Sequence, residues 1–137
     1  MAGNIHGGAI MRLCDEVAAI AAIRHSGHRV VTAAIDRMTF RSPVLVSELV
    51  TLSASVNAAW KTSMEVGVRV EAENLQTRQV RHTSTAYLTM VALEEGKPIT
   101  APKLVAESED ERRRQREAEL RRANRLAERD QIRAERD

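Results

Sequence analysis

The stretch that decides the fold is Gly3-Asn4-Ile5-His6-Gly7-Gly8, which runs directly into a helix-forming segment, residues 9–25. Two adjacent glycines followed by good helix formers predict that Gly7 and Gly8 lie at the N-terminus of a helix. This helix is apolar almost all the way round, and a helix without a polar face has to be covered by other parts of a protein. We therefore expect it to lie at the centre of the fold.

An acidic residue within this apolar helix, Asp15, is the first candidate functional residue. Burying an unpaired carboxylate costs several kcal/mol or drives it to the neutral form, so an acid here needs a reason. Asp15 shares its helical face with Gly8, Met11, Ala18 and Ala22, mostly small residues that leave room for another group to approach. A structural ion pair with Arg12, one turn earlier, is the alternative interpretation.

Alternating apolar and polar residues after the helix predict four antiparallel strands. They are residues 29–40 with a kink at Asp36-Arg37, then 49–57, 63–73 and 79–93. The alternation is sharpest in 63–73, where one face is predicted to be core and the other solvent-exposed. The strand at 79–93 is partly apolar on both faces, which predicts a central position in the sheet.

The predicted architecture is α+β, with one long central helix wrapped by a curved antiparallel sheet. The first strand of such a layout would precede the helix, yet only three residues precede Asn4. We therefore expect this edge strand to be truncated.

The chain divides by composition into a domain at 1–104 and a charged helical extension at 105–137. Ser108 is the predicted N-cap of the extension, with Glu111 completing a capping box. Because apolar residues are sparse there, the extension is predicted to be a solvated helix stabilised by acid–base pairs. An RNA-binding or partner-binding arm is the alternative.

Composition and charge argue against several classes of partner and site. The net charge is only +2, and 103–137 holds 11 of 21 basic and 10 of 19 acidic side chains, so neither part argues for nucleic acid. We find no signal peptide and no apolar run of about 18 residues, so no membrane partner is expected. A single cysteine, Cys14, excludes an internal disulfide and favours a reducing, cytoplasmic compartment. The four histidines show no metal-ligand spacing with Cys14, so no metal is expected.

Six segments carry a family pattern, in order, over about residues 3–112. They are Gly3-Asn4-x-His6-Gly7-Gly8, Asp15-Glu16-Val17-Ala18, Val31-Thr32-Ala33-x-Ile35-Asp36, Phe40-x-Ser42-Pro43, Lys61-Thr62-Ser63-Met64-Glu65-Val66, and Val91-Ala92-Leu93 with Gly96-Lys97-Pro98. The set resembles the hotdog-fold acyl-CoA thioesterases of the YciA and brain acyl-CoA hydrolase group. Two places depart from that group: Ser47-Glu48 stands where it usually has glycine-aspartate, and Trp60-Lys61 where it has glycine-arginine.

The resemblance implies hydrolysis of a fatty acyl-CoA thioester to free fatty acid and CoA. It implies that Asn4 and Asp15 form the catalytic pair, contributed by different subunits. Asp15 would act as general base, or alternatively attack the carbonyl itself. Asn4 would orient the water or the carbonyl, and backbone N–H groups of Gly7 and Gly8 would stabilise the oxyanion. His6 belongs to the same candidate site, with a plain turn residue as its alternative; for Asn4 the alternative is a helix N-cap.

The resemblance further implies that Lys61, Thr62 and Ser63 hold the phosphates of CoA. CoA is part of the substrate here, and no separate cofactor is expected. The expected assembly is a homodimer, built further into a trimer of dimers or a tetramer. Two other functions remain open: a hotdog module that binds acyl-CoA without hydrolysing it, and an interaction subunit that acts through the charged tail.

Overall fold

The computed structural model describes residues 3–137, and its elements follow the predicted order. Two helices and five strands are found: α1 (Gly7–Ser26), β1 (Arg29–Phe40), β2 (Leu49–Ala59), β3 (Ser63–Glu73), β4 (Val80–Glu94), β5 (Lys97–Pro98) and α2 (Glu109–Arg136). The predicted helix and the four predicted strands are confirmed. The short β5 lies where a turn was expected.

The strands form one antiparallel sheet in the order β1-β4-β3-β2, with β5 paired to β4. The predicted central place of β4 is confirmed, since it pairs with β1, β3 and β5. The predicted kink in β1 is confirmed as well. Arg37 has a positive φ of 57°, and the β1–β4 register shifts between Asp36 and Thr39.

Helix α1 packs on the inner face of the sheet through a stripe of small and apolar side chains spaced four residues apart. The stripe comprises Ile10, Cys14, Ala18, Ala22 and Ser26. Below it lie the buried inward side chains of β3 and β4: Met64, Val66, Val68, Val70, Ala72, Ala86, Leu88, Met90 and Ala92. Small helical residues let helix and sheet approach closely, and this layer is the main hydrophobic core.

The expectation that the whole of α1 is wrapped is wrong for the single protomer. Met11, Leu13, Ile20 and Ile23 are exposed, and Ile20 retains 57% of its accessible surface. One sheet covers only one stripe of a helix, because the opposite side of the helix cylinder points away from it.

The outer face of the sheet, predicted to be solvent-exposed, is partly covered by α2. Glu65 of β3 is only 2% exposed. Arg121 of α2 binds it through two hydrogen bonds, from Nε to Oε1 at 2.9 Å and from Nη2 to Oε2 at 2.8 Å. The prediction failed here because alternation gives the direction of a side chain but not what later packs over it.

Helix α2 is therefore solvated only in part: residues 127–136 are exposed, as its composition predicts, whereas one side of the preceding turns packs on the sheet. Ala118 is buried, and the Trp60 indole N–H donates to Glu119 at 2.8 Å. Arg121 also stacks on Tyr87, 3.6 Å from the ring centroid. The predicted N-cap is confirmed, since the Ser108 side chain accepts from the Glu111 N–H. The division at residue 104 stays a prediction.

Neither described helix is both long enough and apolar enough to cross a bilayer.

Candidate functional site

The segment before α1 is held against a second loop by backbone hydrogen bonds. The Ile5 N–H donates to the Val44 carbonyl, and the Val46 N–H donates to the Gly3 carbonyl, both at 2.7 Å. Asn4 thereby forms an isolated antiparallel bridge with Leu45. Asn4 is exposed. Its backbone is fixed while its side chain stays accessible.

His6, and not Asn4, is the N-cap of α1. Its Nδ1 accepts a hydrogen bond of 3.0 Å from the Gly8 N–H. The N-cap alternative for Asn4 is therefore wrong, and the position of His6 is explained by capping. Capping occupies the Gly8 N–H, whereas no acceptor for the Gly7 N–H is found within residues 3–137. Of the two glycine N–H groups proposed for an oxyanion, only that of Gly7 is available.

A cleft of about 370 Å³ opens at this end of the helix. Its lining residues include Asn4, Gly7, Phe40, Ser42 and Pro43. The Phe40 ring occupies the space beside Gly7, where an added Cβ would lie 3.4 Å from the ring. The cleft thus combines an apolar floor with an exposed amide and a free backbone N–H at the positive end of a helix.

Asp15 is half-buried, and one of its two carboxylate oxygens is occupied. The Thr32 hydroxyl of β1 donates to Asp15 Oδ1 at 2.5 Å, and Thr32 Oγ1 lies 3.4 Å from the Met90 sulfur. In the described part of the chain, no hydrogen bond to Oδ2 is found. The alternative ion pair is wrong, because Arg12 binds Glu16 instead, at 3.3 Å.

Thr32 is the site residue that sequence reasoning missed. Thr32 belongs to the segment Val31-Thr32-Ala33-x-Ile35-Asp36, and the alternation puts it on the same side of β1 as Val30, although Thr32 itself is exposed. That it faces Asp15 was not predictable, because sequence gives no register between a helix and a strand.

The parts of the predicted site lie well apart within one protomer. Gly7 and Asp15 are eight positions apart on the helix, which is roughly 12 Å at 1.5 Å per residue. Asp15 does not line the cleft. The Lys61–Ser63 turn is also far from the cleft. Ser63 pairs with Val91 of β4, whereas Phe40, which lines the cleft, pairs with Ser84 of the same strand. The separation of these two β4 residues corresponds to roughly 20 Å along the sheet. A single protomer therefore brings Asp15 together with Thr32 but not with Asn4.

The Lys61–Ser63 turn is rigidly held by its backbone. The carbonyls of Lys61, Thr62 and Ser63 accept hydrogen bonds from Ala101, Ala92 and Trp60 at 2.8–3.0 Å. The Lys61 side chain is exposed, and Thr62 and Ser63 are half-buried.

Metal-dependent catalysis and nucleophilic attack by Cys14 find little support in residues 3–137. No group of three His, Cys, Asp or Glu side chains there is close enough to bind a metal ion. Burial raises the pKa of the Cys14 thiol to about 11, which keeps it protonated at neutral pH and makes it a poor nucleophile.

The sequence model of the thioesterase superfamily matches residues 2–78. Protein VdlD of Helicobacter pylori is 42% identical over 110 residues, which cover 80% of this chain and 63% of that protein. The cytosolic acyl coenzyme A thioester hydrolase of Rattus norvegicus is 39% identical over 115 residues, 82% of this chain and 30% of that one. The chain thus spans less than two thirds of these relatives.

Solved structures share the fold over nearly the whole chain. An apo-hexameric acyl-CoA thioesterase superposes with a TM-score of 0.88 at 39% identity, covering 92% of this chain and 81% of that one. An acyl-CoA hydrolase from Staphylococcus aureus, solved with butyryl-CoA and CoA, superposes with a TM-score of 0.87 at 32% identity, covering 96% and 81%. Alanine variants of that hydrolase, at an asparagine, an aspartate and a threonine, are also solved. The hotdog fold is confirmed, and the chain belongs to the thioesterase superfamily.

Proposed function

We propose that the protein hydrolyses the thioester of fatty acyl-CoA to free fatty acid and CoA, with Asp15 as the general base. The observation that carries this proposal is the asymmetric environment of the Asp15 carboxylate. Thr32 fixes Oδ1, while Oδ2 has no hydrogen bond among the described residues. A carboxylate held in one orientation with one oxygen free is suited to accept a proton from water.

The chemistry proceeds by addition and elimination. Asp15 Oδ2 takes a proton from water as the water oxygen attacks the thioester carbonyl, giving a tetrahedral oxyanion. The carbon–sulfur bond then breaks, and the CoA thiolate takes up the proton. The Gly7 N–H and the Asn4 amide polarise the carbonyl or orient the water, at the positive end of α1.

The Staphylococcus aureus variants support Asp15 and Thr32 more directly than Asn4. The aspartate and threonine replaced there are 17 positions apart, the separation of Asp15 from Thr32 in this chain. The asparagine replaced there stands 15 positions before its aspartate, whereas Asn4 stands 11 before Asp15. The proposed role of Asn4 therefore depends on its place in the cleft.

The proposed assembly brings together groups that one protomer keeps apart. In a homodimer, Asn4 and Gly7 of one protomer face Asp15 of its partner, and dimers associate further into a trimer of dimers or a tetramer. The exposed apolar side of α1 and the hexameric state named for a similar thioesterase favour association. Lys61, Thr62 and Ser63 bind the CoA phosphates. CoA enters as part of the substrate, in the cytoplasm.

The test is release of free thiol from a panel of acyl-CoAs. Asp15→Asn keeps the shape of the side chain but cannot take the proton, so we expect kcat to fall about 10²–10⁴-fold. Glu16→Gln is the matched control and should leave kcat unchanged. Glu16 is the neighbouring exposed acid, and Arg12 is its one hydrogen-bond partner within residues 3–137. Wild-type turnover by Asp15→Asn refutes the mechanism.

The same panel tests the rivals. A wild-type protein that binds acyl-CoA but releases no thiol is a binding module. Removal of residues 127–137, which are exposed and follow the part of α2 that packs on the sheet, tests the interaction subunit. An enzyme should keep its thioesterase activity without them.

Asn4→Ala tests the role proposed for the Asn4 amide. Loss of one donor to an oxyanion typically costs about 10²–10³ in rate. A loss of that size, with the oligomer intact by light scattering, supports Asn4 as a polarising group. Unchanged kcat removes Asn4 from the site and leaves the Asp15 proposal standing.

A further inference from the structure

In addition to a backbone hydrogen bond of 2.7 Å from the Arg41 N–H to the Thr83 carbonyl, one guanidinium binds both ends of the 41–48 segment, which carries one side of the cleft. This segment joins β1 to β2 and contains no strand or helix beyond the Leu45 bridge. Arg81 of β4 donates from Nε to the Ser42 hydroxyl at 3.2 Å and from Nη2 to the Pro43 carbonyl at 2.7 Å. It also binds both carboxylate oxygens of Glu48, with Nη2 to Oε1 at 2.9 Å. Arg81 therefore joins the beginning of the segment to its end.

Glu48 is the second partner in this contact, and we call the Arg81–Glu48 pair the clasp. The Glu48 side chain is only 5% exposed, and Oε1 also accepts a 2.7 Å hydrogen bond from the Leu45 N–H. Bidentate binding by a guanidinium fixes both the distance and the angle of a carboxylate. The buried carboxylate thus transmits the position of β4 to the backbone at Leu45.

Leu45 is also the residue that pairs with Asn4. On either side of it, Val44 accepts from Ile5 and Val46 donates to Gly3. A continuous set of hydrogen bonds therefore runs from Arg81 through Glu48 and Leu45 to the segment that carries Asn4 and leads to Gly7. The 41–48 segment has no helix or strand of its own that would fix its position.

We infer that Arg81 and Glu48 are positioning residues for catalysis. They hold the 41–48 segment, and through it Asn4 and the Gly7 N–H, in the place that the acyl-CoA carbonyl requires. This inference rests on the proposed function, because it assumes that the cleft binds the reacting thioester. Misplacement of a catalytic group by about 1 Å costs up to about 10²-fold in rate.

The test uses Glu48→Gln, which keeps the shape of the side chain and removes its charge. We expect kcat to fall between about tenfold and about 10²-fold, with a smaller change in KM, because geometry at the carbonyl is lost rather than substrate contact. We also expect faster hydrogen exchange at the Ile5 and Val46 amides, which are the two donors between the segments. The second readout does not depend on activity.

Arg78→Met is the matched control. Arg78 binds Glu73 at 2.7 Å, at the turn joining β3 to β4, but has no hydrogen bond to the 41–48 segment. It should leave kcat and both exchange rates unchanged. The double variant Arg81→Met with Glu48→Gln should cost no more in kcat than Arg81→Met alone, since the two residues act through one contact.

Each outcome has a distinct meaning. Unchanged exchange at Ile5 and Val46 in Glu48→Gln overturns the clasp, whatever the activity. Faster exchange with unchanged kcat overturns the positioning role. Failure of the proposed function is seen separately, in Asp15→Asn, which leaves the clasp and these exchange rates intact.

Discussion

The two helices lie on opposite faces of one sheet and are attached to it by different interactions. Helix α1 docks through small apolar side chains onto the valines and methionines of β3 and β4. Helix α2 has one fully buried apolar side chain, Ala118, and docks through guanidinium groups instead. Apolar packing tolerates graded change, because each lost methylene removes a little contact area. A buried ion pair does not, because removing one partner leaves a charge without compensation.

The largest expected effect is at the ion pair that attaches α2. In Arg121→Ala, Asn57 is the one partner left to the buried Glu65 carboxylate among the residues that the structure describes, donating at 3.1 Å. Breaking a buried pair in this way typically costs about 3–5 kcal/mol in the free energy of unfolding. Urea denaturation at neutral pH measures the loss. The double variant Arg121→Met with Glu65→Leu should recover much of it. A loss below about 1 kcal/mol in Arg121→Ala would mean that α2 is not docked.

The next effect tests the apolar attachment of α1. Leu88 is fully buried beneath the helix, and Leu88→Ala creates a cavity in the core. Such truncations cost about 2–5 kcal/mol, with the value set by how far the site collapses. Leu75→Ala is the control, since Leu75 is 56% exposed, and it should change the unfolding free energy by no more than about 0.5 kcal/mol. Equal effects in the two variants would contradict the described core.

A smaller effect is expected at the close approach between β2 and β3 on the outer face. A Cβ added to Gly67 would lie 2.7 Å from Asn57 Nδ2, the group that donates to Glu65. Gly67→Ala should therefore cost about 1–3 kcal/mol by overpacking. Calorimetry of Gly67→Ala beside the double variant Gly67→Ala with Asn57→Ser measures the clash. If the smaller side chain brings no recovery, the clash is not the cause.

The smallest expected effect is on the chemical labelling of Cys14, a buried thiol on the side of α1 that faces the sheet. Cys14 lies between α1 and the sheet, and its pKa of about 11 exceeds the ordinary 9.0 because of burial. The folded protein keeps this thiol protonated and covered, so labelling requires opening of the layer between α1 and the sheet, after which the thiol has its ordinary pKa. The rate should therefore rise about tenfold per pH unit up to about pH 9.

Labelling of Cys14 in the two destabilised variants then distinguishes local from global opening. Leu88→Ala should speed labelling at a given pH, because it loosens the layer in which Cys14 lies. Arg121→Ala should speed it only as far as its loss of global stability requires, because α2 packs on the other face. Equal acceleration at equal stability would show that the two faces open together.

The elements themselves were predictable from local signals. Adjacent glycines and Gly27 bound α1, the alternation marked β3 over the residues observed, and Ser108 caps α2 as expected. Burial was less predictable. Glu65 is buried although it lies on the face predicted to be solvent-exposed. The pattern of a strand does not show that a helix 56 positions later in the sequence packs over it.

The candidate site was predictable in part. Asp15, the cleft residues Asn4 and Gly7, and the loop at Lys61 stood out as residue types in a recognisable order. Thr32 did not, and neither did the capping role of His6. Both depend on distances between side chains that only the folded backbone sets.

The sequence by itself determined the helix, the strands, their order and the family to which they belong. It did so because hydrophobic period, glycine placement and motif spacing are local properties of the chain. Only the tertiary structure decided which carboxylates are held, by Thr32 at Asp15, by Arg121 at Glu65 and by Arg81 at Glu48. The reason is that each of these contacts joins residues at least 17 positions apart, and a hydrogen bond across such a distance is fixed by how elements pack.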